Sequence, residues 1–190
     1  RPINPLAIDE MNRVQAHRGP DDSGGWNSHN KNITLGHRRL SIIDTSNAGH
    51  QPMVDGAQVI TYNGEIYNYL EIAHKLRELG VELKTASDTE VLLKAYQQWG
   101  EQALDELNGM FAFAIYDKTN HILFCARDRF GEKPFLFHHT NEKFIFASEY
   151  KAIFALEGIS TNYDEARLMQ FLYHPTQGLD DDIQTCFNDI

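Results

Sequence analysis

The sequence predicts an α+β fold of four layers, a sandwich of two stacked β-sheets enclosed by helices (αββα). Three observations carry this. Met110 to Tyr116 puts Phe111, Phe113 and Ile115 on one face of an extended run and Met110, Ala112, Ala114 and Tyr116 on the other. Side chains alternate along a strand, so a run apolar on both faces is covered on both. His121 to Arg127, Pro134 to His139 and Lys143 to Ala147 are further apolar or alternating runs, and turn residues such as Asn120 and Asn141 separate them. The four runs read as one antiparallel sheet of consecutive hairpins. Helix-period segments lie before, between and after the extended runs, which supplies the outer layers.

The elements follow in order. Asn4 and Pro5 are a helix start, an amide cap followed by a proline preset for the first turn, and the helix runs through Leu6, Ile8, Met11 and Val14. His17 to Gly25, HRGPDDSGG, is dense in Gly, Pro and Asp and reads as a structured loop. Ile33 to Arg38 and Val59 to Asn63 read as strands. A helix from Tyr67 to Leu79 ends at Gly80. Ser87 and Glu90 then form a Ser-x-x-Glu capping box ahead of a helix through Val91, Leu92, Ala95 and Trp99. A short helix spans Ala103 to Leu107. The apolar pattern gives way near Glu157, and a last helix from Asp164 to Tyr173 leads into the polar stretch Thr176 to Asp182. The expected division is a domain over 1–158 and an extension over 159–190 that approaches another domain.

Composition narrows the task. Seventeen Lys and Arg stand against 27 Asp and Glu, a net charge of −10, which argues against binding a phosphate backbone, so no nucleic-acid partner is expected. No apolar stretch approaches the roughly 18 to 20 residues of a membrane span, so no membrane association is expected. The two cysteines, Cys125 and Cys186, form neither a Cys-x-x-Cys pair nor a disulfide framework, which fits a cytoplasmic setting. Cys125, between Phe124 and Ala126, reads as a packed small hydrophobe. His17, His37, His50, His138 and His139 lack metal-ligand spacing, so structural or surface roles are expected for them and no metal site.

Four segments concentrate chemistry: HRGPDD from His17, GHRRLSIID from Gly36, TYNGEIYN from Thr61 and ASDTEVLL from Ala86. They offer guanidinium groups in Arg38 and Arg39, carboxylates in Glu65 and Asp88, and an amide beside a glycine in Asn63 and Gly64. That set suits a free amino acid, whose carboxylate pairs with a guanidinium and whose ammonium pairs with a carboxylate. An Asn side chain next to an unhindered backbone N–H can also donate two hydrogen bonds to one developing oxyanion. Plainer readings stand beside these. An Asn-Gly pair at a strand end is most often a turn, adjacent arginines are often a solvated surface, and Asp88 can simply favour a helix N-terminus.

The segments HRGPDDSG, LGHRRLSIID, GHQPM, NGEIYN, SDTEVLL, LNGMFAFAIYD, ARDRFGEKP and FASEYKA, in this order from about Arg13 through Ile153, resemble the N-terminal class II amidotransferase (glutaminase) domain of glutamine-dependent asparagine synthetase. The resemblance implies an N-terminal-nucleophile (Ntn) hydrolase fold, in agreement with the four layers read from the pattern. It implies that Arg39 holds the α-carboxylate of glutamine, that Asp88 and Glu65 receive its α-ammonium, that Leu40, Ser41, Ile42 and Ile43 line the pocket largely through backbone, and that Asn63 and Gly64 form the oxyanion hole.

In the family the nucleophile is a cysteine at residue one whose own α-amine is the base, an amine with an unperturbed pKa near about 7.7 to 8.0. This sequence opens at Arg1, and RPINPLAID resembles a segment about ten residues into family members. The expectation is a fragment, inactive without that cysteine. A non-catalytic glutamine-binding or regulatory module is the alternative. No cofactor is expected in this domain. The resemblance implies a C-terminal synthetase domain as partner, using Mg-ATP to turn aspartate into asparagine with the released ammonia. A homodimer stays open.

Overall fold

The structure is a computed structural model that describes residues 3, 4, 6–41, 47–173 and 185–190. The chain forms two compact units, residues 1–134 and 135–190.

The first unit is layered as helix, sheet, sheet, helix. Helix α1 (Leu6–Val14) starts where the Asn4 side chain accepts the Leu6 N–H, as the Asn-Pro signal predicts. It lies on a two-stranded antiparallel sheet, β1 (Asp22–Asn27) and β2 (Thr34–Arg39). Close approach is possible because a Cβ at Gly36 would run into the Ile8 side chain, and Asn12 donates to the Gly24 carbonyl at 3.0 Å. The loop expected over His17 to Gly25 is therefore corrected: Asp22 to Gly25 are strand. Glycines weaken a strand on their own, but here they are what lets a helix and a loop pack flat against it.

The second sheet has the order β3-β4-β5-β6, with β3 (Met53–Asp55), β4 (Gln58–Ile66), β5 (Gly109–Asp117) and β6 (Ile122–Arg127) all antiparallel to their neighbours. It stacks on the first sheet through its β4–β5 face. Thr61 donates to the Gly36 carbonyl at 3.0 Å, and the rings of Trp26 and Tyr116 meet at 5.9 Å. Its other face carries Ile60, Tyr62, Ile66, Phe111, Phe113 and Ile115 into a core with α2 (Tyr69–Glu78) and α3 (Asp88–Trp99). The two-faced burial expected of Met110 to Tyr116 holds in that Phe111 through Tyr116 are all buried. Helix α4 (Ala103–Glu106) leads into β5.

Two local expectations change. The Ser87 hydroxyl caps α3 by accepting the Thr89 N–H, but Glu90 does not complete the box. Its carboxylate instead accepts the Lys84 and Thr85 N–H groups and the Thr85 hydroxyl, so it ties down the loop before the helix. The single sheet of consecutive hairpins is also corrected: β5 and β6 belong to the four-stranded sheet. The pair β7 (Leu136–His139) and β8 (Phe144–Ala147) is a separate two-stranded ladder in the second unit. That unit adds α5 (Tyr150–Phe154) and α6 (Glu165–Tyr173), with Tyr150, Phe154 and Phe187 clustered and the Phe135 and Phe146 rings stacked at 5.2 Å.

After β6 the chain turns on Asp128. Its carboxylate accepts four backbone N–H groups, from Phe111, Phe130, Glu132 and Lys133. Burial opposes its ionisation, but those four donors outweigh it and hold the carboxyl below the ordinary aspartate value. Asp128→Ala would orphan them, and a buried donor left unpaired costs about 1–3 kcal/mol. Allowing for partial hydration, the expected loss is about 3 kcal/mol, which at this chain length lowers Tm by roughly 6–12 °C. Thermal unfolding followed by circular dichroism checks this.

Candidate functional site

The site is built along one edge of β4. Phe111, opposite Gly64 in the β4–β5 ladder, turns both its N–H and its C=O toward Asp128. Gly64 and Phe111 are therefore a non-hydrogen-bonded pair, and the peptide groups of Gly64 point away from β5. With period two, Tyr62, Gly64 and Ile66 all present their N–H groups on that same outer edge, beyond the reach of β3, which pairs only with Gln58 to Ile60. Side chains complete the edge on either side of Gly64. The Gln51 amide oxygen accepts the Tyr62 N–H at 2.7 Å, and Asp88 Oδ2 accepts the Ile66 N–H at 3.2 Å. The Gly64 N–H lies between them.

Asn63 therefore sits inside a nine-residue strand, not in a turn at its end. Strand alternation sends its side chain to the same face as Thr61, toward the first sheet. There its Nδ2 is buried with no hydrogen-bond partner among the described residues. Gly64 is required where it stands, since a Cβ would collide with the Met110 carbonyl oxygen and sit 2.8 Å from the Tyr62 ring. Glu65 follows on the Asn63 face, half-buried, opposite Met110.

Asp88 opens α3 and is buried. Tyr62 runs past Gly64 and donates its phenol to Asp88 Oδ2 at 2.8 Å. Burial raises the Asp88 carboxyl above the usual range, opposed by the Tyr62 hydroxyl and the Ile66 N–H. Burial and the adjoining Asp88 raise the Tyr62 phenol in turn, which keeps it a donor.

Arg39 ends β2 and is buried, its guanidinium packed against Gly49, where a Cβ would displace it. Asp22 is held below the ordinary value first by its hydrogen bond with His50, 2.6 Å from Nδ1 to Oδ2, with Arg39 adding to the effect. His37, beside Thr61, is pushed down to about 4 by burial and then by Arg39, so it is neutral at physiological pH and leaves Arg39 as the fixed cation there. Leu40 is exposed, and the Ser41 N–H is held by Asp21 Oδ2 at 2.8 Å. Ile42 and Ile43 lie outside the described residues. Arg38 does not join this group: it donates to the Gly19 carbonyl.

The structure thus joins Asn63, Gly64 and Asp88 directly through β4 and Tyr62, and links Arg39 to them through Gly49, His50 and Gln51. Sequence reasoning passed over Asp22, Gln51 and Tyr62, and gave His50 only a structural or surface role. Their roles come from contacts across 11 to 38 positions, such as Gln51 with Tyr62, His50 with Asp22, Tyr62 with Asp88 and Gln51 with Thr89, and no local period signals such a contact. The thiol of Cys125, on β6, is pushed up to about 12 by burial, which suits a packed side chain and not a nucleophile. Among the described residues no helix is long and apolar enough to cross a membrane, and no group of three or more His, Cys, Asp or Glu could hold a metal.

Comparison with known proteins places the chain in a family. The glutamine amidotransferase domain family matches residues 4–190. Asparagine synthetase [glutamine-hydrolyzing] 3 of Bacillus subtilis is 41% identical over 167 residues, covering 86% of this chain and 27% of that protein. Asparagine synthetase B [glutamine-hydrolyzing] of Escherichia coli is 40% identical over 147 residues, 76% of this chain and 26% of that protein. The chain thus spans about a quarter of the length of these relatives. Among solved structures, the glutamine phosphoribosylpyrophosphate amidotransferase of B. subtilis superposes with a TM-score of 0.55 at 26% identity over 64% of this chain and 29% of its own. The layered fold is accordingly that of the Ntn hydrolases, and the chain belongs to the glutamine amidotransferase domain family.

Proposed function

We propose that this domain binds free L-glutamine and releases ammonia from its side-chain amide, for a synthetase domain that uses ATP with Mg²⁺ to convert aspartate to asparagine. The observation that carries the proposal is the Nδ2 of Asn63, buried without a partner among the described residues, beside the Gly64 N–H on an open strand edge. An unpaired buried donor costs about 1–3 kcal/mol, so its presence calls for an acceptor that arrives with the substrate. A tetrahedral oxyanion supplies one.

In this reading Arg39 takes the α-carboxylate of glutamine. Asp88, with Glu65, takes the ammonium, and its carboxylate is already aimed by Tyr62 and Ile66. The family's amino-terminal cysteine would attack the amide carbon. Its sulfur forms a bond to carbon as the carbonyl oxygen becomes an oxyanion held by Asn63 and Gly64. The C–N bond then breaks, the proton held by the terminal amine passes to the leaving nitrogen, and water hydrolyses the thioester to glutamate. Nothing in this half-reaction calls for a cofactor. A cytoplasmic setting, where free glutamine and ATP are both supplied, completes the proposal.

Titration calorimetry with the 190-residue chain tests the binding half. L-Glutamine is expected to bind, and its analogue lacking the α-ammonium to bind at least about tenfold more weakly, because it leaves the buried acid without its partner. Absence of heat with L-glutamine, or equal affinity for the two, would sink the assignment.

A further inference from the structure

We propose that Gln51 is a positioning residue for the oxyanion site, the side chain that fixes the edge of β4 so that the Asn63 amide and the Gly64 N–H face one point. This deepens the glutamine-amidotransferase reading above and rests on it.

Strand β3 stops pairing with β4 at Ile60, so the next outward N–H, that of Tyr62, would have no strand to bind. Gln51 stands in for the missing strand residue, accepting that N–H at 2.7 Å. The other end of the same amide donates to the Thr89 hydroxyl at 3.3 Å, next to Asp88 at the start of α3. One buried side chain therefore spans from the residue before Asn63 to the residue after Asp88. Its backbone is fixed as well: a Cβ at Gly24 would collide with the Gln51 carbonyl oxygen, so β1 accepts the loop only because residue 24 is glycine.

The consequence is geometric. Gln51 holds the edge on one side of Gly64 and Asp88 on the other, which leaves the Gly64 N–H as the outward donor between two pinned points. Without the Gln51 acceptor, the Tyr62 peptide is free to tilt, and the Asn63 side chain that follows it shifts with it. A hole whose donors drift loses the preorganisation on which its effect depends. Gln51 touches no reacting atom in this scheme. Its contribution passes through Tyr62 and Thr89.

The test uses the ¹⁵N-labelled 190-residue chain with Gln51→Met and Gln51→Glu. In Gln51→Met the amide-exchange protection of Tyr62 is expected to fall about tenfold or more while that of Ile115, in the sheet core, stays as in the wild type. The Asn63 side-chain NH₂ resonances shift, whereas the dissociation constant for L-glutamine moves little, because the ground-state amide carbonyl gains least from these donors. Gln51→Glu, which accepts from Tyr62 and can receive or give a hydrogen bond at Thr89, restores the Tyr62 protection. Equal loss of protection at Tyr62 and Ile115 would show a general packing role and overturn the proposal. Unchanged Asn63 resonances or unchanged Tyr62 protection in Gln51→Met would overturn it too. A wild-type chain that binds no glutamine would instead refute the functional reading, while the exchange and Asn63 comparisons would still decide the role of Gln51.

Discussion

With the family's amino-terminal cysteine strand in place ahead of this sequence, Asn63→Ala is expected to lower kcat for glutamine hydrolysis by about 100- to 1000-fold, the usual effect of removing one oxyanion donor. KM should move little. The ground-state amide carbonyl is a weaker acceptor than the oxyanion, so the Asn63 contact strengthens as the reaction proceeds. The fold should survive, because Asn63 Nδ2 has no partner among the described residues to lose, and truncation removes an unsatisfied buried donor. Steady-state kinetics with thermal unfolding as a control check both halves. A change confined to KM, with kcat intact, would remove Asn63 from the oxyanion role.

Arg39→Ala is expected to act on the other quantity. A buried guanidinium facing a substrate carboxylate contributes mainly to binding, and truncating one member of such a pair costs about 2–5 kcal/mol. The dissociation constant for glutamine should therefore rise about 30-fold or more. In a protein that joins this domain to a synthetase domain, synthesis from added ammonia should continue at close to the wild-type rate, since ammonia has no carboxylate for Arg39 to hold. Equal loss with both nitrogen donors would show that Arg39 maintains the fold through Gly49 and Asp22 and does not bind glutamine.

The sequence revealed these two residues for different reasons. Asn63 and Gly64 stood out because an amide beside an unhindered backbone N–H can donate two hydrogen bonds to one oxyanion, although their place inside β4 was hidden by the turn preference of the same dipeptide. Strand propensity is weak evidence against a ladder that runs on to Ile66 with β5 beside it. Arg39 was visible as a charge next to a strand, but its packing against Gly49, ten positions away, was not.

Layering was legible because periodicity reports burial: the two-faced pattern from Met110 to Tyr116 could arise only between two covering layers. Partnering was not. The run from Pro134 to Ala147 has the same alternating texture as β5 and β6, and nothing in its composition says that β7 and β8 form a ladder with each other. The glycine-rich segment ahead of Trp26 failed for a related reason. Its glycines satisfy long-range packing against Ile8 and Gln51, and a local rule reads the same residues as loop.

The central claim is that Asn63 Nδ2 and the Gly64 N–H await an oxygen of bound substrate. An NMR titration of the labelled 190-residue chain with L-glutamine tests it most directly by following the Asn63 side-chain NH₂ and Gly64 amide signals. Saturable shifts at both, absent in Arg39→Ala at the same glutamine concentration, are the expected result. Glutamine-induced shifts that spare Asn63 and Gly64 and fall elsewhere on the protein would contradict it.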